Sequence, residues 1–238
     1  MFRCWASVIL ALIVTATYVT SLPGSYAIQR RASKCNGYQD LCNRKYSNVT
    51  HIGAHDSFAV GKLGSLGSNQ EANVTVQLED GIRLLQIQTH ASSGHQDSNP
   101  SGLSLCHTSC ALKNGGTLES YLRQVKQFLN QNKNEVVTLV ITNPDNKPVS
   151  NFAKAFENTG LNSMAYRANS NSISKNDWPT LQELISQNQR VVVFLDYKAD
   201  VNQAKYILPE FQNIWENPYD QTSSNFNCTP CLLYTSPS

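Results

Sequence analysis

The chain has 238 residues, 40% of them hydrophobic and 15% charged, with 19 Lys and Arg against 17 Asp and Glu for a formal charge of +2. That length accommodates one domain with a real core, and the hydrophobic share excludes an intrinsically disordered chain. The low charged fraction, with no basic cluster, argues against nucleic acid as a partner.

Arg3 precedes an apolar run centred on residues 8–14, and Pro23, Gly24 and the small Ser25 and Ala27 follow at the spacing of a cleavage site. Residues 1–27 therefore read as a secretory signal peptide. A signal anchor is the alternative, but the apolar run falls short of the ~20 residues that a membrane span needs. Residues 28–34, with the dibasic Arg30 and Arg31, form a short pro-segment or linker, and the domain proper is expected over 35–230. Six of the seven cysteines lie after residue 27. An even number at short spacings, Cys35 with Cys42 and Cys106 with Cys110, reads as disulfides of an oxidising compartment. Asn48, Asn73 and, less strongly, Asn227 begin glycosylation acceptors. The expected location is extracellular.

Strands are predicted over 49–54, 83–89, 103–107, 136–142 and 191–197, each a short apolar run ending in polar residues. The clearest helix runs over 118–130, with Leu118, Tyr121, Leu122, Val125, Phe128 and Leu129 on one stripe. Two more are marked by Phe152, Ala155 and Phe156 and by Leu181, Leu184 and Ile185. Strand and helix alternate, so the class is α/β. The strands at 136–142 and 191–195 are apolar on both faces, as buried parallel strands are.

Two histidines, His55 and His107, fall where predicted strands end, on the face that carries chemistry in parallel α/β folds. Imidazoles titrate near neutrality, so a pair aimed into one cavity can serve as base and acid in a single transfer. Alternatively, each is a hydrogen-bonded structural residue. A zinc enzyme would need His55, His107 and an acid around one metal, and no spacing of the HExxH kind supports it.

His55-Asp56-Ser57, Asp80-Gly81-Ile82-Arg83-Leu84-Leu85 and the second strand-end histidine, His107, resemble the catalytic half of the phosphatidylinositol-specific phospholipase C X domain. The similarity is closer still to the secreted fungal PLC-like phosphodiesterases, through residues 81–90, 105–110 and 190–197. The resemblance covers roughly residues 35–229. It implies a TIM-type (β/α)8 barrel. Such a barrel needs eight strands and ~250 residues, and about five strands are readable, so the expectation is a barrel truncated at its C-terminus. Residues 231–238 resemble translated adapter sequence and are expected to be non-native, a natural disordered tail being the alternative.

The resemblance further implies His55 as general base, His107 as general acid and Asp56 as the group orienting His107, in cleavage of a phosphodiester of inositol or lipid type. Where the family carries calcium ligands, or an Asp and an Arg in their place, this strand carries Gln86 and Gln88 on one face with His90. No metal and no cofactor is therefore expected, and positive charge on the phosphoryl oxygens falls to His90 or to a Lys or Arg from elsewhere. Gln86, Gln88, His90 and the strand-end Asp196 are the candidate substrate-binding residues. His51 is expected in the core and His95 in an exposed loop. The expected partner is a phosphodiester or phospholipid substrate, with peripheral membrane contact, on a monomer. A catalytically inactive barrel acting as an extracellular binding module is the competing reading, favoured by the two neutral glutamines.

Overall fold

The computed structural model describes residues 32–217 except 63 and 93–98, together with residue 222. The signal peptide expected over 1–27, His95, Asn227, Cys228, Cys231 and the suspect tail at 231–238 lie outside the described residues.

Strand β2 (Leu84–Ala91) is the hub of a seven-stranded mixed sheet. It runs parallel to the two-residue β1 (Gly53–Ala54) and to β5 (Val137–Thr142), and its far end pairs antiparallel with β3 (Leu103–His107). Antiparallel β4 (Lys113–Thr117) borders β3, while parallel β6 (Val191–Leu195) and β7 (Ile207–Pro209) extend the sheet beyond β5.

The α/β class expected from sequence is present, with a mixed rather than all-parallel sheet. The strand at 103–107 is present with the expected bounds, but it and β4 run antiparallel to their neighbours. No pairing joins β4 to β7 among the described residues. The strand expected over 49–54 contracts to Gly53–Ala54, the only residues of that run that pair with β2.

Alternation along the strands gives the sheet two apolar faces. Leu85 and Ile87 of β2, Leu139 and Ile141 of β5 and Val193 of β6 join one core. That core also takes the apolar stripes of α1 (Val74–Glu79), α2 (Leu118–Gln131) and α3 (Val149–Thr159). Val140, Val192, Phe194 and Leu208 face a second cluster with Tyr46, Trp178 and the leucines of α4 (Leu181–Ser186). Burying each such side chain is worth about 1.5–3 kcal/mol, so both faces lock the strand register. Gln86, Gln88 and His90 continue the second face towards the strand ends, where apolar filling stops.

Two arginines brace the helices against the strands. The buried Arg190 donates to the carbonyls of Leu129 and Asn132 at 2.8 and 3.0 Å, satisfying the C-terminal end of α2. Arg83 pairs with Glu135 at 2.9 Å, donates to Leu78 at the end of α1, and lies over the Phe128 ring. Both expected disulfides form, Cys35 with Cys42 and Cys106 with Cys110. Asn48 and Asn73 are exposed, and Asn73 caps α1 by accepting from Val76 N at 3.1 Å.

Candidate active site

Because β1, β2, β5, β6 and β7 are mutually parallel, their carboxyl ends open on one side of the sheet. His55 and Asp56 form the turn that leaves β1. His107 is the last residue of β3, which reaches the same place from the opposite direction.

Asp56 lies between the two imidazoles. Its Oδ2 is 3.2 Å from His55 Nε2 and 3.4 Å from His107 Nε2. The His55 side chain is 64% exposed, His107 13% and Asp56 2%, so an accessible ring and a sheltered ring meet on a buried carboxylate. Burial pushes the Asp56 carboxyl above its ordinary value, and the charges of His55 and His107 pull it back down. Asp56 Oδ1 is buried with no hydrogen-bond partner among the described residues, as is His107 Nδ1.

The residue after each histidine has left-handed backbone, Asp56 at φ 42° and Thr108 at φ 60°. Such a conformation costs on the order of 1–3 kcal/mol and is least comfortable for a β-branched residue such as threonine. Each turn is held by a glutamine from β2. Gln86 Oε1 accepts the Asp56 backbone N–H at 2.7 Å, and Gln88 Oε1 accepts that of Thr108 at 2.7 Å. The Gln86 main-chain carbonyl takes the next amide, Ser57 N, at 3.0 Å.

A glycine-rich segment covers His107. Val60 and Gln70 pair at its base, and Gln70 Nε2 donates to the His55 carbonyl at 2.6 Å. Gly67, at φ +70°, approaches so closely that a Cβ there would lie 3.0 Å from Lys113 Cβ, 3.2 Å from Leu112 Cγ and 3.5 Å from His107 Nδ1. Lys113 is the direct cross-strand partner of His107, and its ammonium donates to the Val60 carbonyl.

His90 is partnered from the loop after β5. Its Nδ1 is 3.2 Å from Asp145 Oδ1, and the other oxygen of Asp145 accepts Ala91 N at 2.7 Å, while His90 Nε2 is buried without a partner among the described residues. Asp145 follows β5 and was not singled out from sequence, although a strand-end acid after Asn143-Pro144 carries the same signal that marked Asp196. Asp196 Oδ1 accepts Asn143 N at 2.8 Å and Tyr197 N at 2.6 Å, tying the end of β6 to that of β5. Burial pushes its carboxyl up to about 6, against the opposing pull of those amides. His51 stacks on Tyr46 with ring centroids 5.1 Å apart, and burial lowers its pKa. The residue is half-buried rather than in the core expected from sequence, and its Nε2 lacks a partner among the described residues.

The residues present do not fit a calcium ion. No group of three or more His, Cys, Asp or Glu among the described residues could hold a metal. The oxygens of Gln86 and Gln88, where ligands would stand, are engaged by backbone amides. What remains is a pair of imidazoles on one carboxylate, suited to moving a proton onto one oxygen and off another.

Residues 41–233 match the family model described as PI-PLC X 1. The chain is 45% identical over 194 residues to an uncharacterized secreted protein of Arthroderma benhamiae, covering 82% of this chain and 42% of that protein. It is 41% identical over 218 residues to PI-PLC X domain-containing protein 1 of the same fungus, covering 91% of this chain and 67% of that one. Among solved structures, it resembles a Staphylococcus aureus phosphatidylinositol-specific phospholipase C containing pentafluorophenylalanine. The TM-score is 0.53 at 17% identity, over 73% of this chain and 56% of that one, a likeness of fold.

Proposed function

The chain belongs to the PI-PLC X domain family, and we propose that it is a secreted phosphoric diester hydrolase that uses His55 and His107 as base and acid. The observation that carries this reading is the single buried Oδ2 of Asp56 in contact with both imidazoles. In the first step His55 takes the proton of the attacking hydroxyl while its oxygen bonds to phosphorus. His107 gives its proton to the departing oxygen as that P–O bond breaks. Asp56 holds the Nε2 proton of His55, leaving Nδ1 as the base. The same carboxylate orients His107 through Nε2, from which the proton passes to the leaving oxygen.

The amide nitrogens of Gln86 and Gln88 donate to phosphoryl oxygens, and His90 adds positive charge when protonated. Asp196, whose Oδ1 is taken by two amides, offers Oδ2 to a substrate hydroxyl. The favoured substrate is a phosphodiester of inositol-lipid type. Leu66 on the segment over His107 and Leu112 beside it, 83% and 45% exposed, supply an apolar rim for peripheral contact with a lipid surface. The secreted relative, the two disulfides and the exposed acceptors Asn48 and Asn73 support an extracellular location.

The neutral Gln86 and Gln88 favour one competing reading, a catalytically silent domain that binds such head groups. Phosphorus NMR of phosphatidylinositol incubated with the protein separates the two. A phosphodiesterase yields a water-soluble inositol phosphate signal that His55→Ala abolishes. A binding module leaves the lipid intact, and its His55→Ala and His107→Ala variants bind inositol phosphate as the unmodified chain does.

A further inference from the structure

We infer that Gln86 and Gln88 are positioning residues, each fixing the strained turn behind one histidine through its side-chain oxygen. The inference rests on the proposed two-histidine reaction for its catalytic meaning, but its geometry stands apart from it. Both glutamines lie on one face of β2, two residues apart, so adjacent pleats present their carboxamides to different loops. Gln86 Oε1 holds Asp56 N and Gln88 Oε1 holds Thr108 N, both at 2.7 Å. The residues held are those with left-handed backbone next to His55 and His107.

An ordinary substrate-contacting amide would leave both ends of its carboxamide to the ligand. Here each acceptor end is consumed within the protein. β2 itself is immobilised by β1 and β5 on its two edges, so the glutamines transmit a fixed frame to two otherwise separate turns. The arrangement is also unequal in a way that can be measured. Gln86 holds the amide of Asp56, whose carboxylate touches both rings, whereas Gln88 holds a turn adjoining only His107. Losing Gln86 should disturb both histidines comparably, and losing Gln88 should disturb His107 more than His55.

The test uses the full chain with Gln86→Met, Gln88→Met, Gln86→Glu and Gln88→Glu. Methionine keeps the length and removes the acceptor, and glutamate keeps the acceptor and removes the donor. Without ligand, imidazole and amide NMR signals and amide exchange are recorded across pH. Gln88→Met should release Thr108 N–H and move the His107 ring signals more than those of His55. Gln86→Met should release Asp56 N–H and shift both rings. Both glutamate variants should keep the amide protected. In turnover, each methionine variant should lose roughly ten- to a hundredfold in rate, with the glutamate variant recovering part of that loss. If a methionine variant does not fold, Gln→Asn, one methylene too short to reach, replaces it.

Unchanged Thr108 and Asp56 amides in the methionine or asparagine variants, or equal disturbance of both rings by the Gln88 substitution, would overturn the inference. Glutamate variants as slow as the methionine ones, with protected amides, would also overturn it, since the glutamines would then act as donors to phosphate alone. A chain that shows the expected ligand-free NMR changes yet turns over no diester contradicts the proposed reaction instead, and leaves the positioning geometry standing.

Discussion

His107 Nε2 lies 3.4 Å from Oδ2 of Asp56, an aspartate that reaches it from a different strand end. Since the same oxygen is 3.2 Å from His55 Nε2, the charge on Asp56 is common to both imidazoles. Asp56→Asn keeps the shape, and asparagine tolerates the left-handed backbone that Asp56 adopts. The variant should be no less stable in thermal melts, because it removes a carboxylate that burial disfavours. Its kcat/KM should nevertheless fall by ~10² or more. A folded Asp56→Asn enzyme of unchanged rate would mean that the carboxylate is structural.

Turnover should survive a chelator and gain nothing from added calcium. A hard cation needs several oxygen ligands, commonly including carboxylates, and the Gln86 and Gln88 oxygens are already bonded to Asp56 N and Thr108 N. Activity measured with and without chelator, then with calcium restored, checks this. Loss on chelation and recovery with calcium would place ligands outside the positions assigned here.

Two further acids set a pH dependence of stability. Burial raises Asp196 to about 6, while burial together with the nearby Glu216 and Asp196 raises Glu210 to about 9. Both therefore bind protons in the folded chain that they release on unfolding. Their contribution is complete below the ordinary carboxylate pKa and is lost as pH rises, through about 6 for Asp196 and about 9 for Glu210. Asp196→Asn should raise stability at neutral pH, and Glu210→Gln should flatten the decline on the alkaline side. Urea unfolding at a series of pH values reads both effects. Variants less stable than the parent at every pH would show that the carboxylates are needed as anions.

The α/β class, the strand ends carrying His55 and His107, and both disulfides were readable because they depend on short-range pattern: apolar runs, polar punctuation and cysteine spacing. β4 was not, since Lys113-Asn114-Gly115-Gly116-Thr117 contains no apolar residue to alternate and owes its pairing to β3. β7 has three residues, too few for a period. α1 is one and a half turns long and rests on the Asn73 cap and on packing rather than on an amphipathic repeat. In the site, alternation correctly grouped Gln86, Gln88 and His90 on one face. It could not show that the two glutamines face inward to loop amides, because those amides arrive from residues 30 and 20 positions away. The same limit concealed Asp145 as the partner of His90.

The division of labour between His55 and His107 is tested most directly by kcat/KM of His55→Ala and His107→Ala on two diesters, one with an alkoxide leaving group and one with a strongly acidic aryl leaving group. On the alkoxide substrate each variant should fall by ~10² to 10⁴, and the parent should follow a bell-shaped pH profile whose limbs belong to the coupled pair. On the aryl substrate His107→Ala should recover most of its rate, since that group departs without a proton, while His55→Ala should remain slow. Equal losses on both substrates for both variants, or rates in the folded variants equal to the parent's, would contradict the assignment of His55 as base and His107 as acid.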